Sequence, residues 1–315
     1  MEKIKVLILE GGFNEEHEVS LETGKQVKKT LKDLKINYES LVVSPITFEN
    51  DIKKYDSSYI CFNALHGTFG EDGKIQEVLE RFSFKFTHSG SKASLIGFDK
   101  ELTKNKINDT SILTPKYFVF NSQELNKNIF LDSFLNMGPF IIKPVTSGSS
   151  YGIKIFKSEK SINLFLSNFS ENIKFYKESN IKLLFEQFIE GRELTVTVIE
   201  KNNLSIPIDV TEIISKNEFF DYESKYTPGF SEHVLPAKIP KTIYEKCMED
   251  AKKIHDLINC KSISRSDFIY DDEKVYFLEI NTQPGLTKLS LVPEQLNYHQ
   301  ISFDDLILNL LKSSL

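Results

Sequence analysis

The N-terminal segment constrains the fold most, because a short apolar run is stopped by two glycines and followed by a helical pattern. Residues 3–9 form the apolar run, and Gly11-Gly12 end it after too few residues for a helix, so we predict a buried strand. Apolar side chains then recur with helical spacing between Leu21 and Leu34. Strand, glycine turn and helix in this order predict the first layer of an α/β domain.

Similar patterns continue along the chain and divide it into three predicted domains. The first covers residues 1–96 and adds strands at 38–43 and 59–63 and a helix at 75–81. The second covers residues 97–183, with helices at 100–107 and near 122–136 and strands at 116–120, 140–143 and 153–157. The third covers residues 184–315, with strands near 183–188, 193–199, 206–213, 264–270 and 275–280 and helices at 242–257 and 303–311. Together they predict an α/β and α+β fold, with a long functional or disordered loop at 216–240.

Charge, hydropathy and cysteine content limit the partners and the compartment. The net charge of −6 disfavours a nucleic-acid binder, which normally carries a basic surface. No apolar run approaches the roughly 18–20 residues of a membrane helix, and residues 6–9 are too few for a signal-peptide core. Cys61, Cys247 and Cys260 are odd in number and lack zinc-site spacing, which is typical of reduced thiols. We therefore expect a cytoplasmic protein with neither nucleic acid nor a membrane as partner.

Four polar residues on two neighbouring C-terminal strands are the strongest candidates for chemistry. Arg265 and Asp267 share one face of their strand, and Glu279 and Asn281 share a face of the next, since side chains alternate along a strand. The short connection between the strands favours a hairpin that brings Asp267, Glu279 and Asn281 together. Two carboxylates and an amide oxygen suit Mg²⁺, which completes its shell with water and substrate phosphates. The alternative is a polar strand face that is open to solvent.

Strand geometry restricts how this hairpin can be built. Opposite residues of an antiparallel pair share a face, so a shared metal requires Asp267 opposite Glu279 and Arg265 opposite Asn281. We therefore predict an odd loop of about three or five residues around 272–274. An even turn would place the two carboxylates on opposite faces unless a bulge corrected the register.

Three further loops carry candidate residues. Lys143 precedes a small-residue loop at 146–152 whose backbone N–H groups can surround phosphate, although a plain connector is the simpler interpretation. Glu16 follows the first strand, where an acidic residue can equally complement a helix dipole. His66 opens a loop with several glycines and can act as a base near neutral pH.

In this order the motifs resemble those of the D-alanine–D-alanine ligases of the ATP-grasp superfamily. The matching strings are residues 11–21, 66–76, 143–150, 221–226, 265–267, 279–287 and 290–293, so the resemblance spans nearly the whole chain. It implies an ATP-grasp fold with an N-terminal Rossmann-like α/β domain and with ATP between the central and C-terminal domains.

The resemblance also implies a reaction, in which ATP and two D-alanine molecules give ADP, phosphate and D-alanyl-D-alanine for peptidoglycan precursors. The first carboxylate would accept the γ-phosphoryl group, and the amine of the second alanine would attack the acyl phosphate. ATP would be the co-substrate, with two Mg²⁺ ions expected and Mn²⁺ as an alternative. The family further implies a homodimer and a lid around Tyr226.

Roles are carried over residue by residue. The residues implied in catalysis are Glu16, His66, Ser149, Tyr226, Arg265 and Gly285. The residues implied in ATP binding are Lys100, Lys143, Ser150, Glu186, Gln187, Phe188, Glu193, Phe219, Lys225, Ile269 and Leu278. Substrate binding is implied for Glu16, His66, Arg265, Gly285, Ser290 and Leu291, and metal binding for Asp267, Glu279 and Asn281.

Two other functions fit the same fold. A ligase that joins D-alanine to D-lactate or D-serine would keep most motifs, but relatives that favour lactate replace Tyr226, which this chain keeps. A nucleotide-binding regulator without turnover would have lost metal ligands or Arg265, and all of them remain. The chain departs from the family pattern at Gln187, Phe188, residues 145–147 and Gln283.

Overall fold

The N-terminal sheet of the computed structural model is parallel, as the opening strand–turn–helix pattern predicts. The structure describes residues 4–148, 152–215, 231–287 and 290–315. The strands of this sheet are β1 (Lys5–Gly11), β2 (Asn37–Val43), β3 (Tyr59–Asn63) and β4 (Lys85–Phe86), in the order β2-β1-β3-β4. They are connected through α1 (His17–Asp33), α2 (Phe48–Ile52) and α3 (Lys74–Arg81). Because β1 is central, its residues from Val6 onward are buried.

The second sheet is antiparallel and packs on a core rich in phenylalanine. Helices α4 (Ser91–Phe98) and α5 (Lys100–Ile107) lead into it. Its strands are β5 (Tyr117–Asn121), β6 (Phe140–Pro144), β7 (Lys154–Phe156) and β8 (Lys182–Gln187), in the order β5-β8-β6-β7, with helices α6 (Lys127–Met137), α7 (Glu159–Ser167), α8 (Phe169–Asn172) and α9 (Lys174–Ser179). The rings of Phe130, Phe140, Phe156 and Phe185 contact one another in the core. Strands β6 and β7 are an antiparallel pair, with Phe140 opposite Phe156.

The third sheet is also antiparallel and is formed by the C-terminal strands. They are β9 (Arg192–Lys201), β10 (Leu204–Ser215), β11 (Ser231–Val234), β12 (Ile263–Tyr270) and β13 (Val275–Asn281), in the order β11-β10-β9-β12-β13. The helices of this region are α10 (Lys241–Ile258), α11 (Leu291–Tyr298) and α12 (Phe303–Ser313). Ala251 and Ile254 of α10 share a buried cluster with Val196 and Phe268 of the sheet, so α10 covers one face of it.

The last helix joins the first sheet to the C-terminal region. Leu306, Ile307 and Leu310 of α12 share a buried cluster with Val6 of β1 and Phe62 of β3. Burying each of these side chains contributes about 1.5–3 kcal/mol. This packing holds the segment between β13 and α11 beside the loops that follow β1 and β3.

Several elements differ from the predictions. The predicted helix at 122–136 is wrong in its first turn, because Ser122–Glu124 forms a 3₁₀ turn and α6 starts after Asn126, whose side chain caps it. Within the predicted loop at 216–240, residues 231–234 form β11, and residues 216–230 lie outside the described part of the chain. Helices α2, α4, α7, α8, α9 and α11 and strand β4 are absent from the predictions. The domain boundaries at residues 96 and 183 stay a prediction. None of the helices within the described residues combines the length and the apolarity needed to cross a membrane.

Candidate active site

A cleft between the second and third sheets, here called the inter-sheet cleft, collects charged and apolar side chains. The described residues that the sequence predicts to bind ATP all line it, namely Lys100, Lys143, Glu186, Gln187, Phe188, Glu193, Ile269 and Leu278. Ser150, Phe219 and Lys225 carry the same prediction and lie outside the described residues. The apolar walls of the cleft were not predicted; they include Ile141, Ile155 and Ile213.

Strand pairing explains one of these walls. Ile141 and Lys143 are two residues apart on β6, so their side chains share a face of the sheet. Ile141 lies opposite Ile155 of β7 and Glu186 of β8. An apolar row therefore crosses the second sheet and ends at a carboxylate. The period of two that places Lys143 at the cleft also places Ile141 there, so the sequence held a signal for this wall.

Glu186 lies at the floor of the cleft between two lysines. Its carboxylate oxygens are 2.6 Å from Lys104 Nζ and 2.7 Å from Lys143 Nζ. Burial alone would raise the pKa of the Glu186 carboxyl, but these ammonium groups hold the pKa below its usual range. Lys104 is the deeper lysine, and burial lowers its pKa. Burial also acts against the charge of Lys143, but the carboxylates of Glu186 and Glu279 outweigh it and raise the pKa of Lys143.

Lys104 is a functional candidate that the sequence analysis missed. Its side chain is fully buried, and its ammonium group also donates to Thr114 Oγ1. It lies one helical turn after Lys100 on α5, so both side chains point to the same face of that helix. That spacing is the signal that could have found it.

The β12–β13 hairpin brings the predicted metal ligands together. Asp267 lies opposite Glu279 and Arg265 lies opposite Asn281, so the predicted pairing is confirmed. Asp267 borders the inter-sheet cleft beside Glu279. The two carboxylates therefore face one cleft, as a shared metal ion requires.

The predicted odd loop of this hairpin is wrong. Tyr270 pairs with Val275, so the connection is the even segment 271–274. Between this turn and the carboxylate pair, Leu278 has no partner on β12, and the register shifts there by one residue. This β-bulge restores the pairing that an even turn would otherwise exclude. It also lets Leu278 and Glu279, which are neighbours in sequence, line the same cleft.

Cations engage both carboxylates of the predicted metal set. Arg265 Nε and Nη2 donate to the two Asp267 oxygens at 2.9 and 2.8 Å. Thr195 Oγ1 donates to Asp267 Oδ1 at 2.6 Å. Lys100 Nζ lies 3.3 Å from Glu279 Oε2. These contacts balance the charge of the carboxylate pair and hold both side chains at the cleft.

The donor set fits a hard divalent cation. Asp267, Glu279 and Asn281 offer oxygen atoms only, and Mg²⁺ is usually held by one or two carboxylates together with substrate phosphates and water. Among the described residues no group of three or more His, Cys, Asp or Glu is placed to hold a metal ion. The predicted metal ligands therefore include only two carboxylates, and the third ligand is the amide oxygen of Asn281.

A second cleft, here called the loop cleft, opens where loops from the N-terminal and C-terminal regions meet. The described residues predicted to bind substrate all line it, namely Glu16, His66, Arg265, Gly285, Ser290 and Leu291. Ser149 and Tyr226 lie outside the described residues. Lys100, Ser147, Gly148 and Glu279 border both clefts, so the two clefts share a boundary.

His66 is held on both ring nitrogens. Nδ1 lies 3.3 Å from Glu71 Oε1, and Nε2 lies 3.0 Å from Thr23 Oγ1. A carboxylate only accepts hydrogen bonds, so Nδ1 carries the proton and Nε2 accepts from the Thr23 hydroxyl. All three side chains are buried or nearly so. Glu71 and Thr23, which the sequence analysis missed, therefore set the orientation and the tautomer of His66.

Glu16 lies where three loops converge. It immediately precedes α1, and its backbone N–H donates to Asn14 Oδ1 at 3.0 Å. Asn14 Nδ2 in turn donates to the carbonyl oxygen of His66 at 2.7 Å, which ties this loop to the next. Gly67 has a φ of +69°, and a Cβ there would lie 2.5 Å from Glu16 Oε2, so a larger residue would be strained and would displace the Glu16 carboxylate. Gly148 approaches the same oxygen from the loop that follows β6.

The start of α11 closes the far end of the loop cleft. Ser290 Oγ accepts from the Thr287 N–H at 3.0 Å and would lie 2.9 Å from a Cβ at Gly285. Ser290 is the residue before the helix, and Leu291 is its first residue. The N–H groups of a first helical turn carry partial positive charge. This end of the cleft therefore suits a carboxylate.

Comparisons with known proteins agree with this arrangement. The family model described as D-ala D-ala ligase C-terminus matches residues 107–312. A D-alanine–D-alanine ligase of Wolbachia pipientis wMel is 41% identical, covering 98% of this chain and 94% of that protein. The D-alanine–D-alanine ligase of Pelagibacter ubique is 40% identical, covering 98% of each chain. The crystal structure of D-alanine–D-alanine ligase from Bacillus anthracis complexed with ATP has a TM-score of 0.81 at 24% identity, covering 100% of this chain and 97% of that chain, so both share the ATP-grasp fold. The chain belongs to the D-alanine–D-alanine ligase family.

Proposed function

We propose that this chain joins two molecules of D-alanine at the expense of ATP and so supplies D-alanyl-D-alanine for peptidoglycan precursors. The observation that carries the proposal is the shared boundary of the two clefts. One cleft offers lysines and apolar walls to a nucleotide, and the other offers Glu16, Arg265 and a helix start to a zwitterion. The names of the relatives from Wolbachia pipientis and Pelagibacter ubique support the same activity.

ATP occupies the inter-sheet cleft in this proposal. Ile269 and Leu278 contact the base from the third sheet, and Glu193 binds the ribose. The edge of the base meets Glu186, Gln187 and Phe188. Phosphate contacts are assigned to Lys100, Lys143, Ser150 and Lys225, with Phe219 as a further nucleotide contact.

A divalent cation belongs at the phosphate end of that cleft. Asp267, Glu279 and Asn281 would hold it, and when bound it neutralises phosphate charge during transfer. We propose Mg²⁺, with Mn²⁺ as an alternative, and two ions in the loaded enzyme. The oxygen-only donor set on one hairpin supports this choice of metal.

The first half-reaction takes place at the boundary of the clefts. Glu16 binds the ammonium group of the first alanine, which turns the carboxylate of that alanine toward the γ-phosphate. A carboxylate oxygen attacks the γ-phosphorus, the bond from that phosphorus to the bridging oxygen breaks, and ADP leaves. The products are ADP and D-alanyl phosphate. Lys100 and Lys143 stabilise the charge on the phosphate oxygens.

The second half-reaction takes place in the loop cleft. Ser290 and Leu291 bind the carboxylate of the second alanine, and its ammonium group passes a proton to His66 Nε2 once the Thr23 hydroxyl turns away. The amine attacks the acyl carbon, the carbon–oxygen bond to phosphate then breaks, and the departing phosphate takes the second proton from the nitrogen. Arg265 and the Gly285 N–H stabilise the tetrahedral oxyanion, for which one donor is typically worth about 3–4 kcal/mol.

Four further proposals complete the assignment. The chain acts in the cytoplasm and as a homodimer. Tyr226 and Ser149, which lie outside the described residues, act in catalysis. The chain is organised in domains 1–96, 97–183 and 184–315.

A phosphate-release assay with a panel of acceptors tests the proposal. Purified protein, ATP and Mg²⁺ are incubated with D-alanine, L-alanine, D-serine, D-lactate or no addition. We expect release with D-alanine that stops when the metal ion is chelated. Equal release with L-alanine would contradict the substrate, and equal release with no addition would contradict the ligase activity.

A further inference from the structure

Gln283 belongs to the segment that borders the loop cleft but does not itself line it. Thr282 and Gly285 of this segment line the cleft, whereas the buried side chain of Gln283 bonds to the neighbouring loop instead. Its Nε2 donates to the carbonyl oxygen of Leu65 at 2.5 Å, and its Oε1 accepts from Asn63 Nδ2 at 2.8 Å. One side chain from the segment after β13 is therefore bonded to the residue that precedes His66 and to the last residue of β3.

The contacts of Gln283 continue into a buried network of amides. Asn63 Nδ2 also donates to the carbonyl oxygen of Gly70 at 2.9 Å, and Gln76 Nε2 donates to the same oxygen at 2.7 Å. The Leu65 N–H donates to Asn63 Oδ1 at 3.2 Å. Asn63, Gln76 and Gln283 are each 3% exposed or less. The network therefore fixes both ends of the loop that carries His66 and Glu71.

We propose that Gln283 is a positioning residue for the amine-transfer step. Its amide fixes the segment that carries Gly285 against the loop that carries His66, so that the oxyanion donor and the proton acceptor keep a constant separation. This inference rests on the proposed function, because the two groups act together only when an amine attacks an acyl phosphate.

Two physical effects give the amide this role. An apolar residue in place of Gln283 would leave the Leu65 carbonyl without this donor, and an unsatisfied buried group costs about 1–3 kcal/mol. The segment would then be seated by packing alone. A misplacement of about 1 Å in a reacting constellation can lower a rate by about 10²-fold. The nucleotide lies in the other cleft, so phosphoryl transfer does not depend on this separation.

The test separates the two half-reactions in Gln283→Met. Positional isotope exchange in ATP that depends on D-alanine reports acyl-phosphate formation, and dipeptide formation reports amine attack. We expect kcat for dipeptide formation to fall about tenfold or more while the exchange is retained, with the KM for ATP unchanged. An equal fall in both rates would overturn the proposal.

Gln295→Met is the matched control for loss of a buried amide. Gln295 is fully buried, accepts from the Thr197 N–H at 3.0 Å, donates to the Thr195 carbonyl at 3.1 Å, and lines neither cleft. A ratio of exchange to dipeptide that is the same in the two variants would overturn the role of Gln283. If the native chain itself shows neither exchange nor dipeptide, the proposed function fails instead.

Gln283→Glu should make kcat depend on pH in a way that a role in stability alone does not predict. When protonated, the introduced carboxyl can donate to Leu65 and accept from Asn63 as the amide does. When ionised, the carboxylate would face the carbonyl oxygen of Leu65 and could no longer donate to it. Burial and this acceptor both raise the pKa of the introduced carboxyl, and ionisation breaks the contact with Leu65. We expect kcat relative to the native chain to fall as the pH rises, since His66, Glu71 and the other ionisable groups of the cleft are common to both proteins. A ratio that does not change with pH would contradict the proposal.

Discussion

At the floor of the inter-sheet cleft, one carboxylate serves two lysines that face different surroundings. Glu186 contacts Lys104, which is enclosed by protein, and Lys143, which borders the cleft. A single lysine would form a neutral pair with Glu186 and present little charge to a phosphate. With two lysines the group carries a net positive charge, and Lys143 is the member that borders the cleft. We therefore expect Lys104 to support phosphate binding without touching the ligand.

Lys104→Met tests this role at the scale of one residue. We expect the Kd for ATP to rise about tenfold, which corresponds to about 1.4 kcal/mol, because Lys143 is then neutralised by Glu186. Isothermal titration calorimetry measures the Kd. Lys106→Met is the control, since Lys106 is exposed on the same helix. Equal ATP affinity in the two variants would contradict the account.

The β12–β13 hairpin presents both an apolar side chain and a carboxylate to the inter-sheet cleft. In a regular strand Leu278 and Glu279 would point to opposite faces, yet both line the inter-sheet cleft. The bulge at Leu278 reconciles an even turn with carboxylates that face each other. Without Leu278, the residues from Val275 to Asn281 would alternate regularly between buried and partly exposed. We therefore expect Asp267 and Glu279 to stay opposite each other when the bulge is removed.

Deletion of Leu278 tests this interpretation at the scale of the element. We expect the variant to fold and to keep metal-dependent phosphate release, because Asp267 and Glu279 stay opposite each other. Its ATP affinity should fall about tenfold, because a leucine contact worth about 1.5 kcal/mol is lost. Leu278→Ala, which keeps the register, should lose similar affinity. Loss of turnover in the deletion alone would mean that the bulge itself positions Glu279.

The limits of the sequence analysis are clearest in particular elements. The spacing of Asp267 and Glu279 was sufficient to predict their pairing, but not the length of the turn. A bulge of one residue lets a turn with an even number of residues give the same pairing as a turn with an odd number. Helix α11 carries Pro293 in its first turn, where proline is tolerated. In the sequence alone a proline indicates the interruption of a helix, so this helix was not predicted. Gly97 weakens the helical pattern of α4 for a tertiary reason, since a Cβ there would lie 2.6 Å from Thr282 Cγ2. Such contacts join residues far apart in sequence, so the local pattern does not contain them.

At the scale of the whole molecule, two buried histidines make stability depend on pH. Burial lowers the pKa of His88, which packs against Phe62, to about 3. Burial also lowers the pKa of His255, whose Nδ1 contacts Ser264 Oγ, to about 4. Both stay neutral in the folded chain, whereas the unfolded chain binds a proton at each histidine below about pH 6.5. Stability is therefore fully present above that pH and is lost as the pH falls toward 4.

The double variant His88→Asn and His255→Asn should resist mild acid. Each neutral histidine costs about 2–3 kcal/mol of stability by about pH 4.5, and asparagine does not titrate. Asparagine also tolerates the positive φ of 71° at His88. We expect the Tm of the native chain to fall more steeply than that of the variant between about pH 7 and pH 4.5, as measured by calorimetry. Parallel Tm profiles would contradict the assignment.

We propose that ATP activates the carboxylate of D-alanine as an acyl phosphate. Following one carboxylate oxygen into the released phosphate tests this proposal. The enzyme is supplied with ATP, Mg²⁺ and D-alanine that carries oxygen-18 in both carboxylate positions, and the released phosphate is analysed by mass spectrometry. A carboxylate oxygen that attacks the γ-phosphorus leaves with the phosphate when the amine expels it. The account predicts one oxygen-18 atom in each phosphate and one in the peptide carbonyl of D-alanyl-D-alanine. Phosphate without the label would show that water attacks ATP, and would contradict the acyl-phosphate ligase described above.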